Sequence, residues 1–317
     1  MGSEQDFAGV FPGMPRVESP AFEQEIEFYG LSDTERGIAL DLHRNGYAII
    51  DFQDAEKEAR FERIKANLAP RYNIDFDDPE ADKTKGERRI QDAWTFDEDV
   101  KAIAANASIM DLLSKLYGRQ AFPFQTLNFP VGTQQDLHSD SIHFSSIPER
   151  FMCGVWVAME DVGPEAGPVF YAAGSHRWPI VSNAMIGRRG YGEVLSSAQD
   201  PYGPAWNAYM TAYNAPTSTF LARKGQALIW SANLLHGGAL QIDPRLTRWS
   251  QVTHYYFEGC TYYTPAFSDE VMGKLALRDI VGIDDGRRRP NSYLGQAWPE
   301  IEKPRKRHWT RRLMGRK

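Results

Sequence analysis

Residues 151–172, FMCGVWVAMEDVGPEAGPVFYA, decide the reading of the fold. A run of Phe, Met, Val and Trp (151–159) gives way to a turn rich in Gly and Pro. A second short apolar run follows at 168–172. β-Branched and aromatic residues suit a pleated backbone, and Gly and Pro punctuate it. The same rhythm recurs outward at 121–129, 226–231 and 249–257. Several short strands separated by turn signals predict a sandwich or barrel. Upstream the period changes. Ser32-Asp33-Thr34-Glu35 has the form of a capping box, so a helix is expected to about Arg44, ended by Asn45-Gly46. Residues 47–50 read as a short buried strand, and 54–68 as a second helix closed by Pro70. Residues 97–117 place Val100, Ile103, Ile109, Leu112, Leu113 and Leu116 on one stripe, which predicts one long amphipathic helix stopped by Gly118. The expectation is a mainly β protein with helices preceding the strands.

The 317 residues fit one barrel with helical additions and suffice for a large core. Residues 1–30, with Pro12, Pro15 and Pro20, read as an extended arm. Residues 31–260 read as a single domain, and 261–317 as a C-terminal extension. Residues 178–215 hold four glycines and several aromatics without a period. A long insertion in a compact domain is commonly functional, and Trp178, Tyr191, Tyr202, Trp206, Tyr209 and Tyr213 make it a candidate substrate cover. The net charge of −6 gives no reason to expect nucleic acid as a partner. The tail 303–317 carries eight basic residues and no acidic one, which fits a solvated terminus or an anionic partner. Cys153 and Cys260 stand in or beside apolar runs, as buried thiols of a reducing compartment do. With no membrane-length apolar run and no secretory leader pattern, a cytoplasmic protein without a membrane partner is expected.

Three places can carry chemistry. His138 and Asp140 stand two apart in Asp136-Leu137-His138-Ser139-Asp140, and on a strand such residues share a face. Alone, the pair reads first as a surface hydrogen-bonded pair, since His-X-Asp recurs by chance. His236 follows the apolar run Ala227-Leu228-Ile229-Trp230 and precedes Gly237-Gly238, as a core histidine or one reaching into a cavity. Arg248 opens the strand read at 249–257; its charge must be paired if buried, by an ordinary salt bridge or by a carboxylate ligand held bidentately. Together, two imidazoles and one carboxylate form the set that suits Fe(II) and oxygen chemistry, and an arginine beyond the second histidine supplies the counter-charge a 2-oxo acid needs.

These blocks resemble the phytanoyl-CoA dioxygenase family of Fe(II)/2-oxoglutarate oxygenases across roughly residues 46–256. The resemblance rests on Phe129-Pro130-Val131-Gly132 before the Asp136–Asp140 motif and on the tryptophan-bearing segment 154–161. It rests also on Gly163-Pro164-Glu165-Ala166-Gly167-Pro168 with Ala173-Gly174-Ser175-His176-Arg177, and on His236-Gly237 ahead of Arg248 and Thr253-His254-Tyr255. It implies a double-stranded β-helix (a cupin-like jelly roll) with the N-terminal helices packed outside. It implies His138, Asp140 and His236 as iron ligands, Arg248 as partner of the far carboxylate of 2-oxoglutarate, and Trp156 and Gln125 beside that cosubstrate. The implied activity is O₂-dependent hydroxylation of a C–H on a small-molecule substrate, with release of succinate and CO₂. Ala166 and Ala173 depart from the family's usual Asn and Pro, which touches loop geometry. Arg245 competes with Arg248, but the six-residue spacing to His254 favours Arg248. Asp140 favours hydroxylation over halogenation, since related halogenases have a small residue there. His143 fits a pocket contact or a solvated loop, and His176 a hydrogen-bonding loop residue. The competing readings are a non-catalytic metabolite sensor and a cupin-type metalloenzyme that does not use 2-oxoglutarate.

Overall fold

The computed structural model describes residues 10–193 and 197–298. Its helices are α1 (Phe22–Glu25), α2 (Asp33–Asn45), α3 (Lys57–Leu68), α4 (Glu98–Ala104), α5 (Ala107–Tyr117) and α6 (Gly203–Ala212). Its principal strands are β1 (Tyr47–Asp51), β2 (Ile90–Gln91), β3 (Ala121–Phe129), β4 (Ser145–Ile147), β5 (Met152–Ala158), β6 (Val169–Tyr171), β7 (Ser218–Phe220), β8 (Gln226–Ser231), β9 (His236–Gly238), β10 (Ser250–Phe257) and β11 (Thr261–Tyr263). The large sheet has the order β1-β8-β5-β10-β3-β2, and a smaller sheet has the order β7-β6-β9. Their strand pairs are antiparallel. This is the double-stranded β-helix, with one sheet laid over the other.

Alternation along the central strands separates two cores. Cys153, Val155 and Val157 of β5, with Ala227 and Ile229 of β8, join Leu42, Phe61, Ile64, Leu113 and Leu116 of the helices in one buried cluster. Trp156, Leu228, Trp230 and Val252, on the other face, meet Val169, Tyr171, Phe220 and Leu234 between the sheets. Both faces are therefore covered. That is why β5 and β8 read as nearly continuous apolar runs rather than alternating ones.

The helix after Ser32 has its capping box in both directions and ends at Gly46, whose φ is +81°. A Cβ at Gly46 would lie 2.4 Å from His176 Nδ1, so glycine serves both the turn and the approach of that ring. The single helix expected over 97–117 is two. Asn106 caps α5 through Ile109 N–H, and Ala105 ends α4, because an Asn side chain offers the backbone an alternative to continuing the helix.

The extended arm expected over 1–30 is corrected where it is described. Residues 16–28 form short helical turns, and Val17, Phe22 and Ile26 are buried in the helix-side core. Glu18, whose side chain is buried, accepts a 2.7 Å hydrogen bond from Arg150, which fixes this segment to the barrel. Nor is residue 260 a clean boundary. β11 pairs with β4, and Tyr262 is buried in the same core. The basic stretch 303–317 lies outside the described residues. Among those residues, no helix is long and apolar enough to cross a membrane, and Cys153 and Cys260 are buried and unpaired.

Candidate metal centre and cosubstrate cavity

His138, Asp140 and His236 converge, each buried, with one ligand-type atom apiece all within 4.8 Å of one another. The local geometry differs from a simple strand. His138 bridges His236 across an isolated antiparallel pair, and their backbones exchange two 2.9 Å hydrogen bonds. Asp140 already belongs to a 3₁₀ turn, Asp140–Ile142. Ser139 between them is extended, and its hydroxyl turns away to Ala232 O and Asn233 Oδ1. The i, i+2 alternation thus holds for one residue, enough to put imidazole and carboxylate on one side. His236 does not end β8, as the apolar run before it led one to expect. A tight turn, with Leu234 N–H donating to Ser231 O, carries it onto β9 in the opposite sheet.

Hydrogen bonds fix the rings. His138 Nδ1 lies 2.9 Å from Asp136 O, and His236 Nδ1 lies 3.0 Å from Leu234 O. With each Nδ1–H donating to a carbonyl, each Nε2 keeps its lone pair. His138 Nε2 is 3.8 Å from Asp140 Oδ1, and His236 Nε2 is 3.9 Å from Asp140 Oδ2. Gln135 Nε2 stands 3.2 Å from His138 Nε2, a donor facing that lone pair. Burial holds His138 as the neutral imidazole, its pKa pushed down to about 3, and the neighbouring His236 adds to the effect. Burial would raise the Asp140 carboxyl, but His236 and the hydrogen bond from His254 outweigh it and hold the group below the usual carboxylate range. A carboxylate with imidazole Nε2 atoms free of backbone partners is the donor set a divalent ion requires. The donor set therefore fits a metal of the Fe(II) type, with protein ligands on one side only.

Two neighbours of Asp140 were not singled out from sequence. Trp230 Nε1–H donates to Asp140 Oδ2 at 2.8 Å, and His254 Nε2 lies 3.6 Å from the same oxygen. Both come from the large sheet. Register explains them: Gly154 is the partner of both Trp230 and His254, so all three share one face. Gly154 makes the room, since a Cβ there would lie 2.3 Å from the indole of Trp230.

The same face builds a cavity of about 260 Å³ lined by the three convergent residues and by Gln125, Leu127, Trp156, Val169, Arg248, Val252 and His254. Arg248 precedes β10 and is 1% exposed. It donates from Nη1 to Gly167 O at 2.7 Å and lies 5.9 Å from the Trp156 ring. No carboxylate pairs with it among the described residues, and neither its Nε nor Trp156 Nε1 has a hydrogen-bond partner there. Burial without a counter-charge lowers its pKa to about 10. A buried guanidinium without a counter-charge, its Nε unpartnered, and a buried indole N–H without a partner, both lining a cavity, fit an acidic ligand. Gln125 Oε1 is 3.1 Å from His254 Nδ1, which places it next to Asp140's neighbour. Arg245, the competitor, points elsewhere: its half-exposed side chain pairs with Asp243 at 2.8 Å and Glu80 at 3.2 Å.

The remaining candidates separate. His143 is half-buried and lines the cavity; burial lowers its pKa. His176 is buried in the loop, with Nε2 3.1 Å from His43 O. The insertion's aromatics do not face the cavity. Tyr202 and Trp206 are buried in a separate cluster with Ile142, Val181 and Leu235, against which Trp178 and Tyr209 pack. Only Ser197, Ala198 and Gln199 of the described insertion line the outer cleft.

Residues 42–240 match the family described as phytanoyl-CoA dioxygenase (PhyH). Among solved structures, the chain is similar to the epimerase SnoN in complex with Fe3+, alpha ketoglutarate and nogalamycin RO, with 18% identity and TM-score 0.54, covering 72% of this chain and 86% of that one. It is similar to EctD from S. alaskensis with 2-oxoglutarate and 5-hydroxyectoine, with 18% identity, TM-score 0.54, and 76% and 80% covered. For SnoK, the non-heme alpha ketoglutarate dependent carbocyclase from nogalamycin biosynthesis, the values are 16%, 0.54, 77% and 90%. These likenesses establish the fold. No curated protein matches the chain significantly.

Proposed function

Since this chain belongs to the phytanoyl-CoA dioxygenase family, we propose that it is an Fe(II)- and 2-oxoglutarate-dependent oxygenase that hydroxylates a C–H of a small molecule. The observation that carries the reading is the pairing, in one cavity, of the His138–Asp140–His236 cluster with the unpaired buried guanidinium of Arg248. A sensor would not need the first, and a cupin-type metalloenzyme without an oxo-diacid would not need the second. Relatives in fold were crystallised with iron and 2-oxoglutarate, which supports the same choice.

In this reading His138 Nε2, Asp140 and His236 Nε2 hold the ion. When bound, Fe(II) with 2-oxoglutarate supplies the means to reduce O₂ and oxidise a substrate C–H, yielding succinate and CO₂. The chain's own part is placement. Trp230 and the two backbone carbonyls fix the ligand atoms before the ion arrives, so little reorganisation opposes binding. Arg248 holds the distal carboxylate of the cosubstrate, with Trp156 Nε1–H as a second donor. Leu127, Val169 and Val252 keep water from its methylenes. SnoN is an epimerase and SnoK a carbocyclase, so hydroxylation is the finer part of the proposal and is tested on the product.

The test is succinate formation in the presence and absence of Fe(II) and of 2-oxoglutarate, with anaerobic Mn(II) and 2-oxoglutarate titrations alongside. Turnover that requires both, and lost metal binding in His138→Ala, are expected. A wild-type protein that neither binds 2-oxoglutarate with Mn(II) nor releases succinate ends the reading.

A further inference from the structure

The large sheet ends at β2, and register tells which way its residues face. Gln91 is the partner of Leu127, so Gln91 and, two residues earlier, Arg89 stand over the face that carries Gln125, Leu127 and Phe129. Both line the cavity, at its outer edge. Arg89 lines the outer cleft as well, about 700 Å³ in volume, together with His143, Gln135 and Gln199. Its side chain is exposed, and among the described residues it has no carboxylate within ion-pair reach and no hydrogen-bond acceptor. Its neighbour Arg88 is engaged, donating to Gly132 O and Thr84 O. Glu87, the one acidic side chain lining the outer cleft, forms no ion pair with Arg89.

A second arginine, without a carboxylate partner among the described residues, packs on a residue of the cavity wall. Arg278 lies 4.9 Å from the ring of Phe144, which lines the cavity, and its guanidinium donates to a neutral acceptor, Thr264 Oγ1. Its Nε is buried without a partner. The balance of the loaded site sharpens the point. A divalent ion, Asp140, the cosubstrate dianion and Arg248 leave the inner cavity neutral. Arg89 is then left without a paired counter-charge at the mouth, and apolar Phe129 and Phe144 line the cavity beside it.

Resting on the function proposed above, we propose that the substrate bears an acidic group, a carboxylate or phosphate, which Arg89 engages at the cavity mouth while the rest of the molecule reaches past Phe144 toward the ion site. Arg278 adds a long-range field and Gln91 a neutral polar neighbour. Arg89 is thus a specificity residue of the outer cavity, distinct from the arginine that serves the cosubstrate.

The probes are benzoate, 3-phenylpropanoate and hexanoate, each against its primary amide, with phenyl phosphate as the phosphate arm. They are titrated by calorimetry into protein loaded under argon with Mn(II) and saturating 2-oxoglutarate, so that the cosubstrate slot is filled. Wild type should bind at least one acid about tenfold tighter than its amide. Arg89→Gln should abolish that preference while leaving 2-oxoglutarate affinity unchanged. Tighter binding of phenyl phosphate than of every carboxylate assigns the acidic group to phosphate, and the reverse order assigns it to a carboxylic acid. Equal binding of acids and amides, no binding of any acid, or an acid preference that survives Arg89→Gln overturns the proposal. Failure of wild type to bind 2-oxoglutarate would instead remove the function beneath it, an outcome read in the loading step before any probe is added.

Discussion

Replacing Trp230 by Phe should weaken metal binding without touching a metal ligand. The indole N–H donates to Asp140 Oδ2 at 2.8 Å, and both residues are buried. Phe keeps most of the ring and loses that donor, leaving the oxygen with His254 at 3.6 Å. A hydrogen bond to a charged group is worth about 1.5–3 kcal/mol. At 1.4 kcal/mol per decade this predicts roughly ten- to hundredfold weaker binding, the range met when an outer partner of a ligand is lost. The assay is an anaerobic Mn(II) or Fe(II) titration, with 2-oxoglutarate affinity then read at saturating metal, where it should be unchanged. Gly154→Ala gives an independent handle. Its new Cβ would lie 2.3 Å from indole carbons Cε2 and Cζ2 and 2.8 Å from Nε1, pushing the donor off Asp140. Both changes act through the same donor, so the metal-affinity loss of the double variant should be smaller than the sum of the two single losses. Wild-type metal affinity in Trp230→Phe, in protein of native melting behaviour, would refute the claim that this bond orients Asp140.

Arg248→Lys should raise the 2-oxoglutarate KM by about a hundredfold, because a lysine cannot reproduce the planar fork, whereas the half-exposed Arg245→Lys should leave it unchanged; steady-state succinate assays check both. Acid stability should carry a contribution from His176, whose pKa burial lowers to about 4. The unfolded chain takes up that proton first, near pH 6.5, so stability is present above 6.5 and lost as pH falls toward 4, by up to roughly 3 kcal/mol. The difference between denaturant midpoints of wild type and His176→Gln across pH 7 to 4 isolates it, and parallel curves would count against the assignment.

Much of this site is local in the chain and so was legible. The His138–Asp140 spacing, the glycines after His236 and the strand rhythm of 151–172 all act over a few residues. The fold followed from the same rhythm, since both-face burial of β5 and β8 leaves its mark as unbroken apolar runs. Trp230 and His254 were not legible as neighbours of Asp140. They belong to strands whose contact with it depends on register across Gly154 and on the closure of two sheets, neither of which has a sequence period. The break at Asn106 left a readable cap, outweighed by the apolar stripe running through it. The aromatics of 178–215 misled for a different reason: large rings signal burial as readily as contact with a ligand.

The two-residue strand β2 is an edge, bonded on one side only. The proposed ion ligands lie in the interior, where each is tied to several other groups, whereas the guanidinium of Arg89 hangs from the sheet's outermost rung. Substitutions in the short run 87–91 can therefore retune what enters without disturbing how iron would be held. Under the proposed function, such a division separates the groups that meet the substrate from those that would hold the ion.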